Sequence, residues 1–219
     1  MGRDILAIGE VYHIFNKSIA GFQIFNDDAD YQRMVNLIAY YQQEKPPLKF
    51  SQVYLNSKEI LERESLSEKD KLVEIIAYCI MPTHFHLILK QIKENGISIF
   101  MKNVLDSYSR YFNILHKRKG PLWEGRFKRV NIKTDEQLYH LTRYIHLNPV
   151  TAYLVNKPED WPASSYWEYL DLVGEKEKIC HFEGLMEINP RSYKEFVEDR
   201  ASYQRELAKI KNLIIEHIP

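Results

Sequence analysis

The chain has 219 residues, 45% of them hydrophobic and 27% charged, room for one well-cored domain plus an appendage of a few dozen residues. No run reaches the roughly 20 apolar residues a bilayer span needs, and the start Met1-Gly2-Arg3-Asp4-Ile5-Leu6 lacks an apolar signal core, so a cytoplasmic protein with no membrane partner is expected. Two cysteines, Cys79 and Cys180, exclude a disulfide framework or a four-cysteine zinc site, and a formal net charge of zero excludes a uniformly basic polyanion binder.

Residues 9–17 alternate and are rich in aromatic and β-branched side chains, which predicts a first strand. A helix is expected over 30–43, where Tyr31, Met34, Leu37, Ile38 and Tyr41 recur near helical spacing and Asp27-Asp28 precedes them. After Pro46-Pro47, residues 44–71 read as a polar excursion with a short helical piece at 58–64. The nearly continuous apolar run at 72–80 predicts a central strand covered on both faces. Met81-Pro82-Thr83 turns the chain, and a strand over 84–90 follows at once, so the two form an antiparallel hairpin.

The next helix is expected from Ile97 to His116, carrying Ile99, Phe100, Val104, Tyr108, Tyr111, Phe112 and Leu115 at spacings of three and four. Gly120-Pro121 stops it, and 127–132 reads as a fourth strand. Thr134 and Gln137 have the offset of a capping box, so a helix begins at Asp135 and is expected to end by His146 or Asn148, ahead of Pro149. The order strand, helix, strand, strand, helix, strand, helix predicts an α+β fold of the split βαβ kind, with an antiparallel sheet and helices on one face. Residues 1–170 are taken as that domain. Residues 171–219 are taken as a mainly helical, acidic extension, with helical patterns at 166–173 and 193–215 on either side of the boundary.

Charge is unevenly distributed. From Lys102 to Lys133 nine basic residues face two acidic ones, whereas from Asn156 onward nine basic residues face thirteen acidic ones. The basic segment suits phosphate contact, although a solvated helix face would read the same way.

Two motifs carry chemistry. In His84-Phe85-His86 both imidazoles share one strand face while Phe85 points to the other, which makes half of a metal site with open positions for a substrate oxygen. Taken alone, such a pair is more often two partly exposed histidines. In Tyr144-Ile145-His146-Leu147-Asn148, Tyr144 and Asn148 share a helix face, so the Asn carbonyl could supply a third ligand while the phenol sits beside the metal. With a pKa near 10, only about 0.1% of a tyrosine is phenolate at neutral pH. A metal-bound phosphate next to it would favour attack through charge withdrawal and proximity.

These residues resemble the REP-associated tyrosine transposases and their insertion-sequence relatives, the single-tyrosine HUH enzymes. The resemblance covers residues 9 to 169 and rests on four blocks in order. They are Gly9-Glu-Val-Tyr-His-Ile-Phe-Asn-Lys17, Met81-Pro-Thr-His-Phe-His-Leu-Ile-Leu89, Leu122-Trp-Glu-Gly-Arg-Phe127 and Arg143-Tyr-Ile-His-Leu-Asn-Pro-Val150. It implies a ferredoxin-like nuclease domain in which His84 and His86 hold Mg²⁺ or Mn²⁺, Asn148 completes the metal site and Tyr144 attacks DNA. Insertion-sequence relatives carry Gln four residues after the tyrosine, whereas the REP-associated branch carries Asn, as here.

The implied reaction is cleavage and transfer of single-stranded or hairpin DNA through a 5′-phosphotyrosine, with no nucleotide cofactor. Arg110, Lys117, Arg118, Lys119, Arg126, Lys128 and Arg129 are the expected phosphate contacts, and Trp123 or Phe127 could stack on an unpaired base, although a core position would read the same way. Tyr108, Tyr111 and Tyr139 are the other candidate nucleophiles. A non-cleaving hairpin binder and a metal hydrolase that uses water are the competing functions. Relatives include both monomers and dimers that share active sites, so a homodimer is a possible assembly.

Overall fold

The computed structural model describes residues 6–46, 48–54 and 71–200; the helical piece expected at 58–64 and the part of the last helix beyond residue 200 lie outside them. Four strands, β1 (Val11–Lys17), β2 (Val73–Met81), β3 (His84–Gln91) and β4 (Lys128–Ile132), form one sheet in the order β2-β3-β1-β4. Every neighbouring pair is antiparallel. With α1 (Asp28–Tyr40) and α3 (Gly96–Leu115) as its crossovers, this is the ferredoxin-like α+β fold.

Local chemistry sets the element ends. Asp27 caps α1 by accepting from the Asp30 backbone N–H at 3.0 Å. Asp30, buried, accepts in turn from the Tyr111 hydroxyl at 2.9 Å and so ties α1 to α3. The Thr134 hydroxyl accepts from Gln137 N–H at 3.1 Å, while the Gln137 side chain accepts from Lys133 N–H at 2.9 Å, which makes the reciprocal cap one residue wider than the sequence predicts. Where α3 begins, a Cβ on Gly96 would run into the Leu72 carbonyl oxygen, so the helix meets β2 closely only because that residue has no side chain. The short α2 (Phe50–Tyr54) lies in the excursion, and the Phe50 ring packs on Tyr40 at 5.3 Å.

Three expectations change. First, α4 (Asp135–Thr151) runs through Pro149, because a proline in the final turn removes only one intrahelical bond and the Ala152 N–H still closes on the Asn148 carbonyl at 2.9 Å. Second, β2 is the outermost strand in the order, yet all nine of its residues are buried. Its free edge is covered by later chain: Ile80 N–H donates to Ala163 O at 2.9 Å, Ser165 N–H to Tyr78 O at 3.0 Å and His181 N–H to Ile75 O at 2.7 Å. Third, the helices occupy both faces of the sheet. Phe85 meets Trp123 on the α1/α3 side, while the alternate His86 meets Tyr144 of α4 on the other side.

The described part of the C-terminal region joins the same core. Ile179, Cys180, Phe182, Met186, Tyr193 and Val197 belong to the hydrophobic cluster of the sheet, so no boundary between cores falls at residue 170. Between α5 (Tyr166–Tyr169) and α6 (Pro190–Glu198) the chain runs as turns and extended segments rather than helix. Cys79 and Cys180 are free and buried. No described helix is long and apolar enough to cross a membrane.

Candidate active site

The site forms where β3 and β1 lie side by side beneath α4. The pleat sends His84 and His86 to the α4 face, and antiparallel pairing sets Lys17 opposite His84 and Phe15 opposite His86. Both imidazoles are bonded at Nδ1, His84 to the Thr83 hydroxyl at 3.0 Å and His86 to Nε2 of His13 at 2.9 Å. Nothing among the described residues bonds to their Nε2 atoms. Burial lowers the pKa of His84, with Lys17 adding to the effect; it lowers His86 to about 3, helped by His84 and His13, and His13 to about 4. All three rings are neutral near pH 7, the state in which an imidazole nitrogen can ligate a cation.

Tyr144 stands over this pair from the same chain. Its ring centroid is 5.9 Å from that of His86, edge to face, and the residue is 42% exposed. Its hydroxyl makes no hydrogen bond among the described residues, and burial of the ring raises its pKa. The other candidate tyrosines are engaged elsewhere. Tyr108 donates to Ile24 O at 2.6 Å inside the core, Tyr111 to Asp30, and Tyr139 to Glu187 O at 2.9 Å. One turn beyond Tyr144 on the same helix face, the side-chain nitrogen of Asn148 is buried with no partner among the described residues. A half-turn about χ2 exchanges that nitrogen for the oxygen.

Two imidazole nitrogens unbonded among the described residues, together with an Asn148 amide that can turn its oxygen toward the position of its unpartnered nitrogen, could hold a divalent cation. Among the described residues no group of three or more His, Cys, Asp or Glu side chains could hold a metal, so a cation at the two histidines would need its other ligands from different groups, such as an amide, water or substrate oxygens.

Residues 31–148, more than half of the chain, match the family model described as "Transposase IS200 like". The chain belongs to the IS200-like transposase family. A Haemophilus influenzae protein named as a REP-associated tyrosine transposase is 32% identical over 104 residues, a match that takes in 42% of this chain and 58% of the relative. A solved REP-associated tyrosine transposase bound to a REP hairpin aligns at TM-score 0.53 and 18% identity over 86% of this chain and 98% of that one, which shows the shared fold. A transposase structure from Deinococcus radiodurans R1 aligns at TM-score 0.37 and 16% identity over 66% of this chain and 94% of that one, too distant to carry an argument.

The transposase fold disperses the basic residues named from sequence. Arg126, Phe127, Lys128 and Arg129, with Lys102 and Trp123, line an open groove of about 780 Å³ between α3 and β4. Lys128 pairs with Phe15 and so lies on the face of the histidines, whereas Arg129 pairs with Ile14 on the opposite face. Arg110 and Arg118 lie beside a separate groove on the outer side of α3. Arg118 holds the turn after α3 by donating to Asn113 at 3.2 Å and Pro121 O at 3.0 Å. Lys117 and Lys119 are exposed in that turn.

Most of the Trp123 side chain lies in the core. It is 9% exposed, its ring packs against Phe25, Phe85 and Tyr108, and its N–H donates to Ser109 Oγ at 3.0 Å. On the face of the histidines, Phe15 is a partly buried aromatic side chain with its ring 4.9 Å from His13 and 5.9 Å from His86. His13 and Phe15 escape the sequence reading. Alternation puts both on one face of β1, but only the β1–β3 pairing brings that face beside His86.

Proposed function

We propose that this chain cleaves and rejoins single-stranded DNA next to hairpins, using Tyr144 as nucleophile and a divalent cation, Mg²⁺ or Mn²⁺, held by His84, His86 and Asn148. The observation that carries the reading is the Tyr144 ring against His86, with the Tyr144 hydroxyl and the Nε2 atoms of His84 and His86 unbonded among the described residues. When bound there, the cation would withdraw charge from the phosphoryl oxygens of the scissile group.

Tyr144 supplies the attacking oxygen, and its bond to phosphorus forms as the bond to the departing 3′ oxygen breaks. The phenolic proton is released and the leaving oxygen takes one up, so the step balances without a co-reactant. The 5′-phosphotyrosine conserves the phosphodiester linkage, and a free 3′-hydroxyl can reverse the step and join new ends. Lys128 places positive charge on this face, and Lys17 beside His84, ion-paired with Glu124 at 3.1 Å, could exchange that carboxylate for a phosphate of the strand. Phe15 offers a partly open aromatic edge to an unstacked base.

The test is incubation with labelled single-stranded DNA carrying a REP-type hairpin and its flanking single strand, with Mn²⁺, and separation on a denaturing gel. The expected result is label retained on the protein, lost in Tyr144→Phe and in His84→Ala. Hairpin binding with neither adduct nor cleavage would identify a non-cleaving binder, cleavage without adduct a hydrolase using water, and an adduct in Tyr144→Phe a different nucleophile.

A further inference from the structure

We propose that His13 is a positioning residue for the metal site: by accepting a hydrogen bond from His86 Nδ1, it fixes the tautomer in which His86 presents Nε2 as a ligand. The inference rests on the metal-dependent reading above and assigns a role to a strand that precedes the residues matched by the family model.

The geometry leaves two arrangements. His13 Nε2 and His86 Nδ1 are 2.9 Å apart, and two neutral imidazoles share one proton in such a contact. If His13 donates, the proton of His86 must sit on its own Nε2, and the ring cannot bind a cation through that atom. If His86 donates from Nδ1, its Nε2 carries a lone pair. Ligation by His86 therefore requires His13 in the form protonated at Nδ1, with Nε2 accepting.

The surroundings hold this pair in register. The two rings stack at 5.1 Å with 22° between their planes, and Phe15 flanks both. His84 has a counterpart in the Thr83 hydroxyl, which can accept from His84 Nδ1 at 3.0 Å. Each histidine thus has a neighbour able to hold a proton at Nδ1 and leave Nε2 open. Thr83 comes from the adjoining hairpin turn, whereas His13 comes from a strand 73 residues away in sequence.

The experiment compares wild type, His13→Phe and His13→Gln as full-length chains. Phe keeps an aromatic ring against Phe15 and His86 but removes the acceptor, whereas Gln restores a carbonyl oxygen within reach of His86 Nδ1. Mn²⁺ affinity is read from the electron paramagnetic resonance signal of free Mn²⁺ without DNA, and the His86 tautomer from ¹⁵N chemical shifts of the metal-free protein. The expected result is Mn²⁺ affinity about 10- to 100-fold weaker in His13→Phe, recovery in His13→Gln, and His86 protonated at Nδ1 in wild type.

Wild-type affinity in His13→Phe, or equal loss in the Phe and Gln variants, overturns the role of His13 while leaving the metal site standing. Should His13→Phe fail to fold, the wild-type tautomer decides, and a proton on His86 Nε2 overturns the assignment. Absence of Mn²⁺ binding in folded wild type overturns the metal-dependent reading and this inference together.

Discussion

His146 is expected to make the fold sensitive to acid. Its ring is buried, with Nδ1 2.8 Å from the Tyr193 hydroxyl and Nε2 2.8 Å from Ser165 Oγ, so it joins α4 to α6 and to the segment covering the edge of β2. A neutral imidazole can satisfy both partners with one donor and one acceptor, and burial lowers its pKa to about 3 from an ordinary 6.5. The sign follows from linkage. Below pH 6.5 the unfolded chain takes up a proton that the fold refuses, so stability is fully present above pH 6.5 and declines as pH falls toward 3. Each pH unit in that window costs about 1.4 kcal/mol, so lowering pH from 7.5 to 5 removes about 2 kcal/mol through this residue alone, a sizeable part of a typical 5–15 kcal/mol total. The assay is urea unfolding followed by circular dichroism at pH 7.5, 6.5, 5.5 and 5, with chelator present, for wild type and His146→Gln. The variant is expected to be less stable at pH 7.5 and to lose about 1.4 kcal/mol less per unit in the acid range. An identical pH slope in the two proteins would refute the argument.

Trp123→Ala is expected to destabilise the fold by about 3–5 kcal/mol, measured by urea midpoint, because the indole fills space between Phe25, Phe85 and Tyr108; a change below about 1 kcal/mol would contradict its core assignment. Gly96→Ala is expected to cost about 1–3 kcal/mol through overpacking against the Leu72 carbonyl, and an unchanged thermal midpoint would show that β2 and α3 separate freely. Lys128→Ala is expected to lower the slope of log affinity for single-stranded DNA against log salt by about 0.7, one phosphate contact, while an unchanged slope would remove the β4 side of the catalytic face from the DNA path.

Much of the architecture is legible along the chain because its signals are local. The apolar run of β2, the turn at Pro82-Thr83, the helical spacing of α3 and the Thr134 cap each involve residues within one or two turns of each other. The His84/His86 pair belongs to the same class, since the strand period alone puts both rings on one face. Choosing Tyr144 among 15 tyrosines depends on family resemblance; of the other tyrosines weighed from the sequence, Tyr108, Tyr111 and Tyr139 each have their hydroxyls engaged.

Pairing across the sheet lies beyond that reach. Nothing near His13 in sequence tells which strand lies beside β1, and the contact with His86 exists only because the order is β2-β3-β1-β4. The same limit explains Trp123, which follows basic residues in the chain but is carried inward when Ser18 bridges to it and Leu122 O accepts from Ile19 N–H at 2.9 Å. It explains the dispersed basic segment too, since a pleated strand sends Lys128 and Arg129 to opposite faces. By itself the sequence determined which elements form and which neighbouring side chains share a face, because periodicity and capping act over a few residues. Only the tertiary structure decided which of those residues meet, because contact between distant segments depends on strand order and on which face each helix covers.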